Sequence, residues 1–241
     1  MMQKHYFSKM LILWALWIVS PCVWAQDGTP QKPDHYVFGK FSRYAKANAE
    51  LGLPKKGEKR VVFLGNSITD NWARMDADFF QPNGYIGRGI SGQPSYQFLT
   101  RFREDVIQLK PKVVVINYGT NDIAENTGSY NEDYTFGNVC SMCELAQANG
   151  IKVILTSCLP AGKMHWRPSV TNVMDKIRQL NNRVQQYART HRIVYVDYFS
   201  ALQSEDGTEM DSRFTKDGVH PNLEGYKVME ELVHKAIQKI L

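Results

Sequence analysis

Four short apolar runs constrain this chain more than any other feature: Val61-Val62-Phe63-Leu64, Val113-Val114-Val115-Ile116, Val153-Ile154-Leu155 and Ile193-Val194-Tyr195-Val196. Three of the four are rich in Val and Ile and lack polar alternation, the pattern of strands covered on both faces in a parallel sheet. A weaker fifth candidate lies around Gly84-Tyr85-Ile86-Gly87. Between the runs lie helix-length segments, Tyr96 to Leu109, Asp133 to Asn149, Ser169 to Thr190 and Leu223 to Leu241. In the third, Met174, Ile177, Leu180, Val184, Tyr187 and Ala188 step by threes and fours, forming one apolar stripe. Gly150 supplies a stop after the second, and Asn222 an N-cap for the last. This alternation predicts a doubly wound α/β sandwich on about five parallel strands, with ligands bound beyond the strands' carboxyl ends.

A length of 241 residues suits one domain with a full-sized core, and 43% hydrophobic with 22% charged residues excludes a disordered chain. The N-terminus reads as a signal peptide: Lys4, His5 and Lys9 precede the apolar stretch Met10 to Val19, too short to span a bilayer, and Val23-Trp24-Ala25 fits a cleavage site. We therefore expect a signal peptide over 1–25, a polar leader over 26–35 and a single domain over 36–241. Export to the periplasm or medium follows, with no stable membrane insertion after cleavage; a lipoprotein anchored through Cys22 is the alternative. Loss of Lys4 and Lys9 lowers the net charge from +5 to +3, and no long Lys/Arg cluster points to nucleic acid.

Gly65-Asn66-Ser67, Tyr118-Gly119-Thr120-Asn121-Asp122, Ser157-Cys158 and Tyr198-Phe199 follow the four runs, so the fold rule brings them to one edge. A serine there caps a helix unless a base stands beside it. Among the histidines, His35, His191 and His234 suit surface or packing roles. His220 differs, because Thr215-Lys216-Asp217-Gly218-Val219-His220-Pro221-Asn222 can turn at Gly218 and return the Asp217 carboxylate to the imidazole. Arg88-Gly89-Ile90-Ser91-Gly92-Gln93 could offer an unobstructed backbone N–H to a developing oxyanion, and Asn121 a side-chain N–H₂. Each piece alone also fits an ordinary cap or turn.

Together the four stretches resemble the SGNH hydrolases, also called GDSL lipases and acylhydrolases. Gly65-Asn66-Ser67-Ile68-Thr69 is similar to the family's first block, Gly89-Ile90-Ser91-Gly92 to its second, Gly119-Thr120-Asn121-Asp122 to its third and Asp217-Gly218-Val219-His220 to its last. Their order agrees, and the likeness runs from about Val61 to the C-terminus. The resemblance implies a flavodoxin-like three-layer α/β/α sandwich and ester hydrolysis needing no cofactor and no metal. By position it implies Ser67 as nucleophile, His220 as general base and acid, and Asp217 as orienting carboxylate. The oxyanion hole would comprise the Ser67 and Gly92 N–H groups and the Asn121 side chain. The family's usual Asp before the serine is Asn66 here, which we expect to keep the local turn hydrogen bonds. No Gly-x-Ser-x-Gly elbow surrounds Ser67, and the carboxylate precedes the histidine by only three residues.

Substrate is less constrained. Trp72, Tyr118 and Trp166 are the candidate substrate-binding residues, with Tyr85, Gln93, His165 and Arg167 as further rim positions. The absence of a long apolar lid segment favours a small acyl group, acetyl, on a small-molecule or glycan ester. Lysophospholipid or short-acyl lipid esters are the alternative, and a non-catalytic glycan-binding protein or a phosphate- or flavin-binding module on the same fold are readings from other classes. Cys140, Cys143 and Cys158 read as partly buried thiols, with a Cys140–Cys143 disulfide as the alternative, because no His set or second Cys pair completes a zinc site. The acidic stretch Glu205 to Asp211 reads as a solvated loop.

Overall fold

The structure, a computed structural model, describes residues 38–241. The expected signal peptide, Cys22, the leader and His35 lie outside the described residues. Five parallel strands form one sheet: β1 (Val61–Gly65), β2 (Tyr85–Gly89), β3 (Val113–Ile116), β4 (Lys152–Thr156) and β5 (Val194–Val196), in the order β2-β1-β3-β4-β5. That is the flavodoxin-like order, with the direction of winding reversing between β1 and β3. The weak candidate at Gly84–Gly87 is a true strand, in register with β1 from Val61↔Tyr85 to Gly65↔Gly89.

Alternate residues of each strand serve opposite layers. Val62, Leu64, Val114, Ile116, Val153 and Leu155 join one core with α4 (Ser95–Asp105), α6 (Glu132–Ala148) and α7 (Val173–Thr190). Val61, Phe63, Val113, Val115, Ile154 and Val196 join the other with α2 (Ser67–Met75), α3 (Ala77–Phe80), α8 (Tyr198–Leu202) and α9 (Leu223–Ile240). Two covered faces explain why the strand runs show no polar alternation. The remaining helices are α1 (Ser42–Leu51), against the β2 side, and α5 (Thr120–Ile123), just beyond β3.

Helix ends depart from the sequence reading in places, each for a local reason. The segment expected to be helical from Tyr96 to Leu109 ends at Asp105 and tightens into a 3₁₀ turn over Ile107–Leu109, closed by Lys110 in the left-handed region at φ 50°. The helix expected from Ser169 begins at Val173, because Asn172 is left-handed at φ 55° and cannot continue a helix backwards. The last helix starts as expected: Asn222 Oδ1 accepts from Gly225 N at 3.0 Å.

Candidate active site

Ser67 is the first residue of α2, so β1 carries the chain straight out of the core and delivers the serine at the sheet's carboxyl edge. Asn66 caps the helix, its Oδ1 accepting from Ile68 N at 2.9 Å, as the turn reading anticipated. Its Nδ2 is buried without a partner. Neighbouring backbone packs tightly around this turn. A Cβ on Gly89 would lie 2.2 Å from Asp70 N and 2.7 Å from Asn66 O, so only glycine lets the end of β2 approach the serine turn. From the other side, Tyr226 Oη on α9 donates to Ile68 O at 2.9 Å.

The Thr215–Pro221 segment folds back on itself, and Thr215 Oγ1 donates to His220 O at 2.7 Å. Asp217 divides its oxygens between two tasks. Oδ1 accepts from Val219 N at 2.9 Å and His220 N at 2.7 Å, leaving Oδ2 for His220 Nδ1 at 2.7 Å. Partial burial works against the Asp217 carboxylate, but hydrogen bonds from the His220 N–H, the His220 ring and the Val219 N–H outweigh it and hold its pKa at about 2. An ionised carboxylate only accepts, so the ring proton sits on Nδ1, and His220 Nε2 faces Ser67 Oγ at 2.8 Å as an acceptor. The three side chains thus form one hydrogen-bonded series able to take a proton from the serine.

Gly92 and Asn121 follow β2 and β3, at the same carboxyl edge of the sheet as Ser67. Gly92 has φ 83° and stands in the exposed turn after β2, its N–H unobstructed by a side chain. Asn121, expected in a loop, lies on the short helix α5 and is 3% exposed. Its Nδ2 donates to Gln93 O at 3.0 Å, which uses one of two N–H groups. Asp122 beside it is buried, accepting from Ser95 N at 3.0 Å and from Ser95 Oγ at 2.6 Å, and burial raises its pKa. These contacts fasten α5 to the start of α4 and set Asn121 at the β1/β3 switch point, where such sheets bind ligands.

Two of the three candidate substrate-binding aromatics are misplaced by the sequence reading. Trp72 is 2% exposed, stacked between Phe79 and Tyr226 at centroid distances of 5.2 and 5.5 Å. Tyr118 is wholly buried in the core on the other side of the sheet. Both are packing residues, because in a doubly wound sheet the residues flanking the strand ends turn inward as readily as outward. Tyr85 begins β2 at the opposite, amino edge and bonds His234 Nδ1 at 3.0 Å, and Gln93 is buried with its Oε1 accepting from Arg101 Nε at 2.7 Å. Neither reaches the rim. Trp166 does: it is 41% exposed, with its ring 6.3 Å from that of His220. His165 and Arg167 are exposed on the same turn.

Two residues near the site were not singled out from sequence. Arg101 is fully buried beneath it, Nη2 donating to Gly65 O at 3.0 Å and Nη1 to Arg88 O and Asp105 Oδ2 at 2.9 Å each. It ties the ends of β1 and β2 to α4, yet in sequence Arg101 and Asp105 look like an ordinary solvent-facing i,i+4 pair. Asn126, in the turn after α5, bonds Trp166, Asn121 and Gly92 at once. Cys140, Cys143 and Cys158 are free thiols, and burial pushes the pKa of Cys143 and of Cys158 up to about 12.

A parallel five-stranded α/β sandwich of this strand order, with the four sequence blocks at its carboxyl edge, is the SGNH hydrolase fold. The chain belongs to the GDSL-like lipase/acylhydrolase family, whose profile matches residues 63–228. A GDSL-like lipase from Bacteroides thetaiotaomicron is 57% identical and superimposes with a TM-score of 0.83 over 85% of this chain and 100% of that one. A Bacteroides fragilis protein is 59% identical with a TM-score of 0.82, over 83% of this chain and 97% of that one. An acetylxylan esterase from Xylanibacter ruminicola is 26% identical over 223 residues, 78% of this chain and 45% of that esterase, so this chain spans about half the length of that relative.

Proposed function

We propose that the chain is an exported serine esterase that removes small acyl groups, acetyl foremost, from carbohydrate esters. The observation that carries this reading is the series Ser67 Oγ, His220 Nε2, His220 Nδ1 and Asp217 Oδ2, joined at 2.8 and 2.7 Å. As His220 Nε2 takes the hydroxyl proton, Ser67 Oγ bonds to the ester carbonyl carbon, and the carbonyl π electrons move onto oxygen. The Ser67 and Gly92 N–H groups and the free N–H of Asn121 stabilise that oxyanion. Collapse breaks the bond to the alcohol oxygen, which leaves with the proton from Nε2. Water then attacks the acyl-enzyme, giving Nε2 a proton that returns to Ser67 Oγ as the carboxylic acid departs. Asp217 holds the imidazole orientation and stabilises its cationic form throughout.

Support for a carbohydrate ester comes from the acetylxylan esterase relative and from the exposed Trp166 face beside His220. Aromatic faces suit sugar rings, and Trp166 offers one at 41% exposure. Export rests on the N-terminal pattern, and no helix among the described residues is long and apolar enough to cross a membrane. The test is hydrolysis of p-nitrophenyl acetate, butyrate and octanoate by wild type and Ser67→Ala, followed by acetylated xylo-oligosaccharides. Short-ester activity lost in Ser67→Ala supports the reading. Preference for octanoate moves the substrate to lipids, and equal inertness of both proteins overturns the esterase.

A further inference from the structure

A chain of hydrogen-bonded side chains that starts at Trp166, against His220, has a fixed direction. Trp166 Nε1 donates to Asn126 Oδ1 at 2.7 Å, Asn126 Nδ2 donates to Asn121 Oδ1 at 2.9 Å, and Asn121 Nδ2 donates to Gln93 O at 3.0 Å. Its ends permit no other polarity, since an indole N–H can only donate and a backbone carbonyl can only accept. Turning the Asn126 amide over would set its N–H₂ against the indole N–H and its oxygen against that of Asn121. Turning Asn121 over would set its oxygen against the Gln93 carbonyl and its N–H₂ against that of Asn126. Turning Asn121 over replaces two hydrogen bonds by two like-pole contacts, and turning Asn126 over also loses the bond from its Nδ2 to Gly92 O. One N–H of Asn121 is therefore spent on Gln93, and the other remains for a ligand.

We propose that Asn126 is a positioning residue for ester hydrolysis: with the Trp166 indole as its polarity-setting donor, it holds the Asn121 amide with an N–H toward the oxyanion. The inference rests on the esterase reading above and adds to it residues that act through Asn121. Asn126 reaches its place because Glu125, left-handed at φ 56°, redirects the chain after α5, and Asn126 N then bonds back to Asn121 O at 3.2 Å. Asn126 Nδ2 also reaches Gly92 O at 3.2 Å, joining the two arms of the candidate oxyanion site. The exposed ring that begins the series is also the surface a sugar would meet, so the same side chain that receives substrate orients the donor.

The test compares kcat and KM for p-nitrophenyl acetate in wild type, Asn126→Ala, Asn126→Asp and Trp166→Phe, with thermal unfolding of each. Asn126→Ala is expected to lower kcat about two- to tenfold with little change in KM, the effect of one neutral hydrogen bond. Asn126→Asp should lose more than Asn126→Ala: an aspartate still accepts from the indole but has no N–H for Asn121 and repels its oxygen. A residue that merely packs the loop would not give that ranking. Trp166→Phe, which keeps an aromatic ring without the N–H, provides a second route should Asn126→Ala fold poorly, with kcat again reduced. In an Asn121→Ala background, Asn126→Ala should cost nothing further. The proposal is overturned if both Asn126 variants keep wild-type kcat, or if their losses simply add to that of Asn121→Ala. Failure of the esterase reading is separate: it would appear as an inert wild type or an active Ser67→Ala.

Discussion

His220 Nε2 lies 2.8 Å from Ser67 Oγ across 153 residues of sequence, and α9 governs both ends of that contact. The loop carrying His220 runs directly into this helix, whose Asn222 cap also anchors to the loop by donating Nδ2 to Arg213 O at 2.8 Å. One turn further on, Tyr226 Oη holds the first turn of the serine's own helix. The serine and imidazole are therefore fastened to a common rigid element rather than to two independent loops.

Tyr226→Phe should loosen that fastening. Ile68 O would be left without the donor it has at 2.9 Å, while the ring keeps its stacking on Trp72. Stability is expected to fall by about 1 to 2 kcal/mol, read as a lower urea midpoint. A drop of kcat of about threefold or more, beyond any change in KM, would register the shift at Ser67.

Asp217→Asn tests the direction of the proton path. The amide would turn an N–H toward His220 Nδ1, forcing the ring proton onto Nε2, where it cannot accept from Ser67. Activity toward p-nitrophenyl acetate should fall on the order of 10³-fold while the fold persists.

The same substitution has a pH signature. The folded pKa of Asp217, about 2, lies below its ordinary 3.8, so the ionised form contributes stability above about pH 4 that disappears as pH falls through 2. Wild type should lose Tm more steeply than Asp217→Asn between pH 4 and 2. The difference will be small, because the Asp217 side chain is 48% exposed and its interactions are screened by water. Parallel curves would contradict the assigned ionisation.

Arg101→Met should be strongly destabilising although it touches no reacting atom. It takes the ion-pair partner from Asp105, only 6% exposed, leaving it the Asn48 Nδ2 bond at 2.8 Å, and removes donors from Gly65 O, Arg88 O and the Gln93 side chain. Breaking a buried pair on one side costs about 3 to 5 kcal/mol, measurable by chemical denaturation.

Trp72 and Trp166 should separate cleanly. Trp72→Ala empties a buried aromatic stack and is expected to cost about 3 to 5 kcal/mol of stability. Trp166→Ala exposes no core, should cost less than about 1 kcal/mol, and should instead raise KM for acetylated oligosaccharides and, through the lost bond to Asn126, lower kcat. Unfolding midpoints and kinetics on the same preparations decide both.

The sequence by itself determined the layered parallel sheet, because residues covered on both faces must be apolar without alternation, as Val113 to Ile116 are. It also determined which edge carries the polar loops, and through the Asp217-Gly218-Val219-His220 spacing it brought a carboxylate and an imidazole within reach of each other. Those are short-range properties, expressed in periodicity and turn chemistry. Only the tertiary structure decided which side chains at that edge face inward: Trp72 and Tyr118 are core, whereas Trp166 stands beside His220. It alone distinguished Arg101, buried beneath the β1 and β2 ends, from an arginine on a solvent face, and brought Asn126 between Trp166 and Asn121. Burial and hydrogen-bond direction depend on partners from distant segments, and the identity of a residue does not specify which partners it will meet.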